Sequence, residues 1–261
     1  MFRVFGIRLA LHFTFPLLLV YAGWEGWPAG GWSGAAWNCA AVLLLFTCVV
    51  LHELGHSLVA RRFGIGVARI LLLPIGGMAE FDSIPRQPRR EILITLAGPA
   101  VNFAIVAVLL PWLPSAHLLA AGDVPPTPAS IGLWPWLLNL ILGVNLVMGC
   151  FNLVPVFPMD GGRILRALLA LRWPYLKATY WASLTGKVLA VAGAALLGLV
   201  WHTYLGVLLF SFIFVAGDLE YRAVKRREEE SAQWRLLLER LYGPPRPGRS
   251  GPGANLLHGP N

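Results

Sequence analysis

Apolar residues run in long stretches along this chain, with the polar residues gathered between them. A helix needs ~20 apolar residues to cross a bilayer. Candidate spans fall at about 9–21, 35–60, 92–113, 133–153, 180–201 and 204–215. The pattern predicts an all-α polytopic membrane protein with about six transmembrane helices. The first stretch is short, although Trp24 and Trp27 beyond it suit a membrane interface. Its basic start and apolar core also resemble a signal peptide. It lacks a small-x-small cleavage site, and His12 and Pro16 interrupt it, so it reads as a span.

Two segments break the helical pattern. Residues 64–82 hold apolar runs punctuated by Gly66, Pro74, Gly76 and Gly77, which predicts a short β-hairpin-like segment at the membrane interface. Such an edge can pair with an extended peptide. An ordinary amphipathic loop fits the same residues. Residues 221–242 read as a charged helix, and the Gly/Pro-rich remainder as disordered. The expected organisation is a six-span domain over 1–221 and a cytoplasmic tail over 222–261. No internal repeat is visible.

Composition supports the membrane assignment. The chain is 57% hydrophobic and 13% charged, with mean hydropathy +0.64, whereas soluble domains carry about 25% charged residues. The net charge of +8 comes from short basic clusters between apolar runs, without a basic face interleaved with aromatics, so nucleic acid is not an expected partner. Lys and Arg are absent from 24–34, 114–132 and 202–203 and present in the alternate loops. The positive-inside rule then places both termini in the cytoplasm of a multi-pass cell-membrane protein. Cys39, Cys48 and Cys150 all lie in apolar runs and imply no disulfide framework.

The chemistry concentrates in His52-Glu53-Leu54-Gly55-His56, inside the second apolar run. Residues four apart share a helix face, so His52 and His56 can offer two imidazoles to one metal ion. Glu53 stands beside them as a candidate general base. Three ionisable groups in hydrocarbon are costly without a compensating partner, and zinc, one per chain, answers that cost. The basic loop starting at Arg61 puts the motif toward the cytoplasmic half of its span. A hydrolytic zinc commonly has three protein ligands. Of the other histidines, His117, His202 and His258 fall near the outer face or in the tail; His12 has no assigned role. Asp160 stands out in Asn152-Leu153-Val154-Pro155-Val156-Phe157-Pro158-Met159-Asp160-Gly161-Gly162. Two prolines break the fourth span there, two glycines give the backbone freedom, and broken backbone at membrane depth is tolerated where it lines a cavity. Metal ligation and capping of a helix starting at Gly161 both fit Asp160.

These motifs together resemble the site-2 protease family of intramembrane zinc metalloproteases, over about residues 8–218. Besides the two elements already quoted, Gly76-Gly77-Met78 and Ala97-Gly98-Pro99-Ala100-Val101-Asn102 resemble the family's glycine-rich loop and third span. The resemblance implies zinc bound by His52, His56 and Asp160, with Glu53 as catalytic base. It implies that Asn152, Gly76 and Gly77 help to bind substrate, although Asn152 also fits a buried amide capping backbone freed at Pro155. The implied partners are the lipid bilayer and a substrate with a single transmembrane helix, or a signal-peptide remnant, cut after local unwinding. Residues 216–261 are too few for the CBS or PDZ modules that relatives carry, which puts regulation by a fused sensor in doubt, and a sequence truncated after the tail helix fits the same observation. A catalytically silent metal-binding module of the same fold is the alternative; Glu53 argues against it, since a structural site needs no such carboxylate. A transporter would call for paired helix breaks in repeated halves.

Overall fold

A computed structural model describes residues 2–74, 76–82, 86–113, 131–199 and 202–242. The expected disordered tail beyond 242 and most of the 114–132 loop lie outside the described residues. The chain forms two compact units, Met1–Asp82 with Ile94–Asn152, and Ser83–Leu93 with Leu153–Asn261.

The first unit opens with strands β1 (Phe2–Val4) and β2 (Ile7–Leu11), then helix α1 (Phe15–Arg62). Strands β3 (Val67–Leu73) and β4 (Gly76–Phe81) follow. Residues 9–11, expected to begin a span, instead form the end of β2. The reason is a pairing sixty residues away: β2 runs parallel to β3, with Leu9 opposite Ile70 and Leu11 opposite Leu72. Phe5 and Gly6 both adopt positive φ, 50° and 78°, the requirement of a two-residue hairpin turn between β1 and β2. The expected hairpin at 64–82 is therefore half of a four-stranded sheet in the order β1-β2-β3-β4. Its inner face packs on α1 through Ile7, Ile70 and Leu72 against Phe15, Phe46, Val49 and Leu54. On its other face Arg69 donates two hydrogen bonds to Glu80, at 2.9 Å each, and these hold the Glu80 carboxyl below its usual range.

Helix α1 is broken at Gly30 and Gly31, and Gly31 takes φ 58°, ψ −130°, a conformation closed to most side chains. The two arms fold back on each other. The Cys39 thiol donates to the Leu19 carbonyl at 3.4 Å, and a Cβ on Gly26 would strike the Gly34 carbonyl. The arm before the break, about 15 residues or ~22 Å, is shorter than the ~30 Å hydrocarbon core. Among the described residues, five helices are long and apolar enough to cross a membrane: Gly30–Arg62, Pro88–Trp112, Leu133–Asn152, Tyr175–Leu199 and Tyr204–Tyr242. The unit is completed by α2 (Pro88–Leu109) from Ile94 onward and by α3 (Leu133–Asn152).

The second unit holds α4 (Asp160–Ala170), α5 (Tyr175–Leu199), α6 (Tyr204–Tyr242) and the first turns of α2. The sixth span and the charged tail helix are one continuous helix, α6. Val156, Met159, Ala190 and Ile213 form the apolar core of this unit. At its centre Arg166 is fully buried. It donates to Glu91 through Nε at 3.0 Å and Nη2 at 2.5 Å, pairs with Glu220, and lies over the rings of Phe157 and Tyr175. A buried guanidinium survives desolvation only when its donors are met by charge in this way.

Candidate metal centre

In the second arm of α1, His52 and His56 are buried, and their Nε2 atoms face each other at 3.1 Å. What each Nδ1 meets fixes the tautomers. His56 Nδ1 lies 2.8 Å from the Ile94 carbonyl, which can only accept, so Nδ1 carries the proton. His52 Nδ1 lies 2.6 Å from Asn102 Oδ1. The Asn102 amide is oriented by its own Nδ2, which donates to Asn145 Oδ1 at 2.8 Å. Asn145 Nδ2 in turn donates to the Ile141 carbonyl at 2.8 Å and to Cys48 Sγ at 3.2 Å. Each imidazole thus carries a proton on Nδ1, which leaves Nε2 as the atom of each ring that can ligate a metal. At 3.1 Å the two Nε2 atoms are close enough to ligate one cation together. The arrangement fits zinc, with Nδ1 partners that set the orientation and basicity of both rings.

Glycines let the neighbouring elements close on this face. A Cβ on Gly98 of α2 would overlap His56 Nε2 and come within 2.8 Å of His52 Cε1. One on Gly55 would reach the Ala97 carbonyl at 2.6 Å. These two positions allow α1 and α2 the close approach that small residues provide between membrane helices. Glu53 is half-buried, and a Cβ on Gly77 would come within 2.8 Å of its Cγ. Strand β4, the sheet's last strand, therefore runs directly beside the Glu53 side chain. Gly76 has φ 141° and open space around it.

Asn152 is the half-buried last residue of α3 in the first unit. Asp160 belongs to the second unit, buried in the first turn of α4, with Met159 rather than Asp160 at the cap position. Gly161 and Gly162 do not supply unusual backbone angles; they are helical, and a Cβ on either would strike the backbone of residues 153–157. Close packing, not conformational freedom, explains them. Of the sifted histidines, His12 bonds to Thr14 Oγ1 at 2.7 Å, while His117 and His258 lie outside the described residues. Sequence reasoning missed Asn145 and Gly98 as parts of the site and gave Asn102 no role. Two asparagines inside apolar spans were the available signal, because lone amides in hydrocarbon need partners.

The profile of peptidase family M50 matches residues 40–122 and 123–193. A zinc metalloprotease of Methanocaldococcus jannaschii is 40% identical over 86% of this chain and 61% of its own length. Stage IV sporulation protein FB of Bacillus subtilis is 30% identical over 78% of this chain and 64% of its own. Among solved structures, the site-2 protease from Methanocaldococcus jannaschii matches with a TM-score of 0.58 at 40% identity, covering 85% of this chain and 94% of that one. The chain spans less than two thirds of the length of these two curated relatives.

Proposed function

This chain belongs to peptidase family M50, the site-2 proteases, and from that premise we propose that it is a zinc endopeptidase that cuts a transmembrane segment of a single-span membrane protein, or a signal-peptide remnant. The ligands are His52, His56 and Asp160, one zinc per chain, and Glu53 is the general base. The observation that carries this reading is the facing pair of Nε2 atoms, each imidazole held by an acceptor at Nδ1, with Glu53 next to them against β4. Zinc held by these residues would supply a Lewis acid that acidifies water toward neutral pH.

The chain's own residues do the rest. Glu53 accepts the proton of the attacking water and returns it to the leaving amine. Intact transmembrane helix protects its peptide bonds, so the substrate enters locally unwound and adds as a strand to the edge of β4, with Gly76 and Gly77 leaving room for it. Asn152 steadies the scissile peptide through its amide. Both termini face the cytoplasm, from which water reaches the site.

The test is a Glu53→Gln variant assayed in liposomes on a single-span substrate, beside zinc content by elemental analysis. Gln is nearly isosteric but accepts no proton at neutral pH, so zinc stays near one per chain while cleavage falls roughly 100-fold to 10,000-fold. Near wild-type cleavage by this variant rules the mechanism out.

A further inference from the structure

The sheet carries a row of like charges that its own fold does not explain. Arg3 lies directly opposite Arg8 across β1 and β2, and Arg8 directly opposite Arg69 across β2 and β3. Residues in register share a face, and adjacent strands lie ~4.8 Å apart, so three guanidinium stems stand side by side on the face turned away from α1. Glu80, opposite Arg69 in β4, answers only that last arginine. Arg8 donates through Nε to the Ala68 carbonyl at 3.4 Å, and Arg61 reaches the same end of the sheet to donate to the Phe5 carbonyl at 2.5 Å. Like charges directly opposite one another destabilise a sheet. An anion shared between strands and lying over the row offsets that repulsion.

The surroundings select the anion. Phe5, at the tip of the β1–β2 turn, is 69% exposed, and Leu11 and Phe13 are 63% and 80% exposed where β2 leads into α1. From there the exposed apolar surface continues along the first arm of α1 through Leu17 and Val20. An acidic peptide matches the charges but not this apolar ridge. A phospholipid in a bilayer beside the sheet matches both, with its phosphate over the arginines and its acyl chains passing the end of β2 to the exposed residues of the first arm of α1.

The geometry points to the outer face of this sheet as a binding surface for anionic phospholipid headgroups, with Arg3 and Arg8 as the phosphate-holding residues. This goes beyond the proteolytic reading and stands without it, because the surface needs only a membrane beside the sheet.

Purified zinc-loaded protein in mild detergent is mixed with equal amounts of phosphatidylglycerol and phosphatidylcholine, and retained lipids are counted by native mass spectrometry. Wild type retains phosphatidylglycerol preferentially. An Arg3→Gln/Arg8→Gln variant loses that preference by roughly fivefold per arginine at low salt, with zinc content unchanged as the check on folding. An Arg235→Gln/Arg240→Gln variant, altered by the same net charge on the tail helix, keeps it. The inference is overturned by no preference in wild type, by an undiminished preference in the sheet variant, or by equal loss in the tail variant. Displacement of the lipid by an equal concentration of a Glu-rich peptide also overturns it, since the surface is then a peptide dock.

Discussion

Asn102 has no contact with the reacting atoms in the mechanism proposed above, yet it sets what His52 can do. Its Oδ1 keeps the His52 proton on Nδ1, and its Nδ2, anchored on Asn145, stops the amide from flipping. Removing such a partner of a metal-binding histidine typically costs 10-fold to 100-fold in metal affinity. Asn102→Ala is therefore expected to hold zinc 10-fold to 100-fold more weakly in a competition titration with a chelator. Activity returns when excess zinc is supplied, which distinguishes this residue from Glu53, whose replacement no added zinc repairs. Unchanged zinc affinity in Asn102→Ala would show that the hydrogen bond is incidental.

Among the elements, α1 and α2 meet where glycines stand. Gly98 carries no chemistry, but the space its missing Cβ leaves is where His56 Nε2 lies. Gly98→Ala forces either the two helices apart or the imidazoles out of their paired orientation. The predicted outcome is a protein that inserts normally, as judged by membrane fractionation, but copurifies with well under half its zinc. Full zinc occupancy would refute the close-approach argument. The legibility of these elements was uneven. The spans were readable because a long apolar run has few other destinations, and His52 with His56 because one helical turn joins them. The Asn102–Asn145 pair was not, since its members lie forty-three residues apart on two different helices and nothing local marks their meeting. Residues 9–11, at the end of the strand Ile7–Leu11, are ambiguous in the sequence for a related reason. Five residues of Ile-Arg-Leu-Ala-Leu fit the start of an apolar span as well as an alternating strand, and the pairing with β3 alone decides between them.

At the scale of the whole molecule, stability is sensitive to breaking the buried ion cluster of the second unit. Arg166→Ala leaves Glu91 with an uncompensated charge and is expected to cost about 3–5 kcal/mol. In detergent this reads as a marked fall in the thermal unfolding midpoint. Arg166→Met combined with Glu91→Leu removes both charges and should recover much of the loss; a double variant no better than the single one contradicts the desolvation account. Orientation is testable at the same scale. From the arginine distribution, a reporter fused at Gly30 signals from the outer side and one at Ser231 from the cytoplasm. The opposite pair of signals inverts the proposed topology and removes the cytoplasmic route for water.

The sequence by itself determined the membrane class, the extent of most spans, and the pairing of His52 and His56 on one helix face. Each depends on residues close together along the chain, where hydrophobic run length and helical periodicity leave little choice. Only the tertiary structure decided the sheet order, the tautomers of the two imidazoles and the role of Gly98. It also showed that Gly161 and Gly162 serve packing. Those features arise where segments far apart in sequence come within hydrogen-bond or van der Waals distance, and local patterns of polarity do not encode which distant partner will be there.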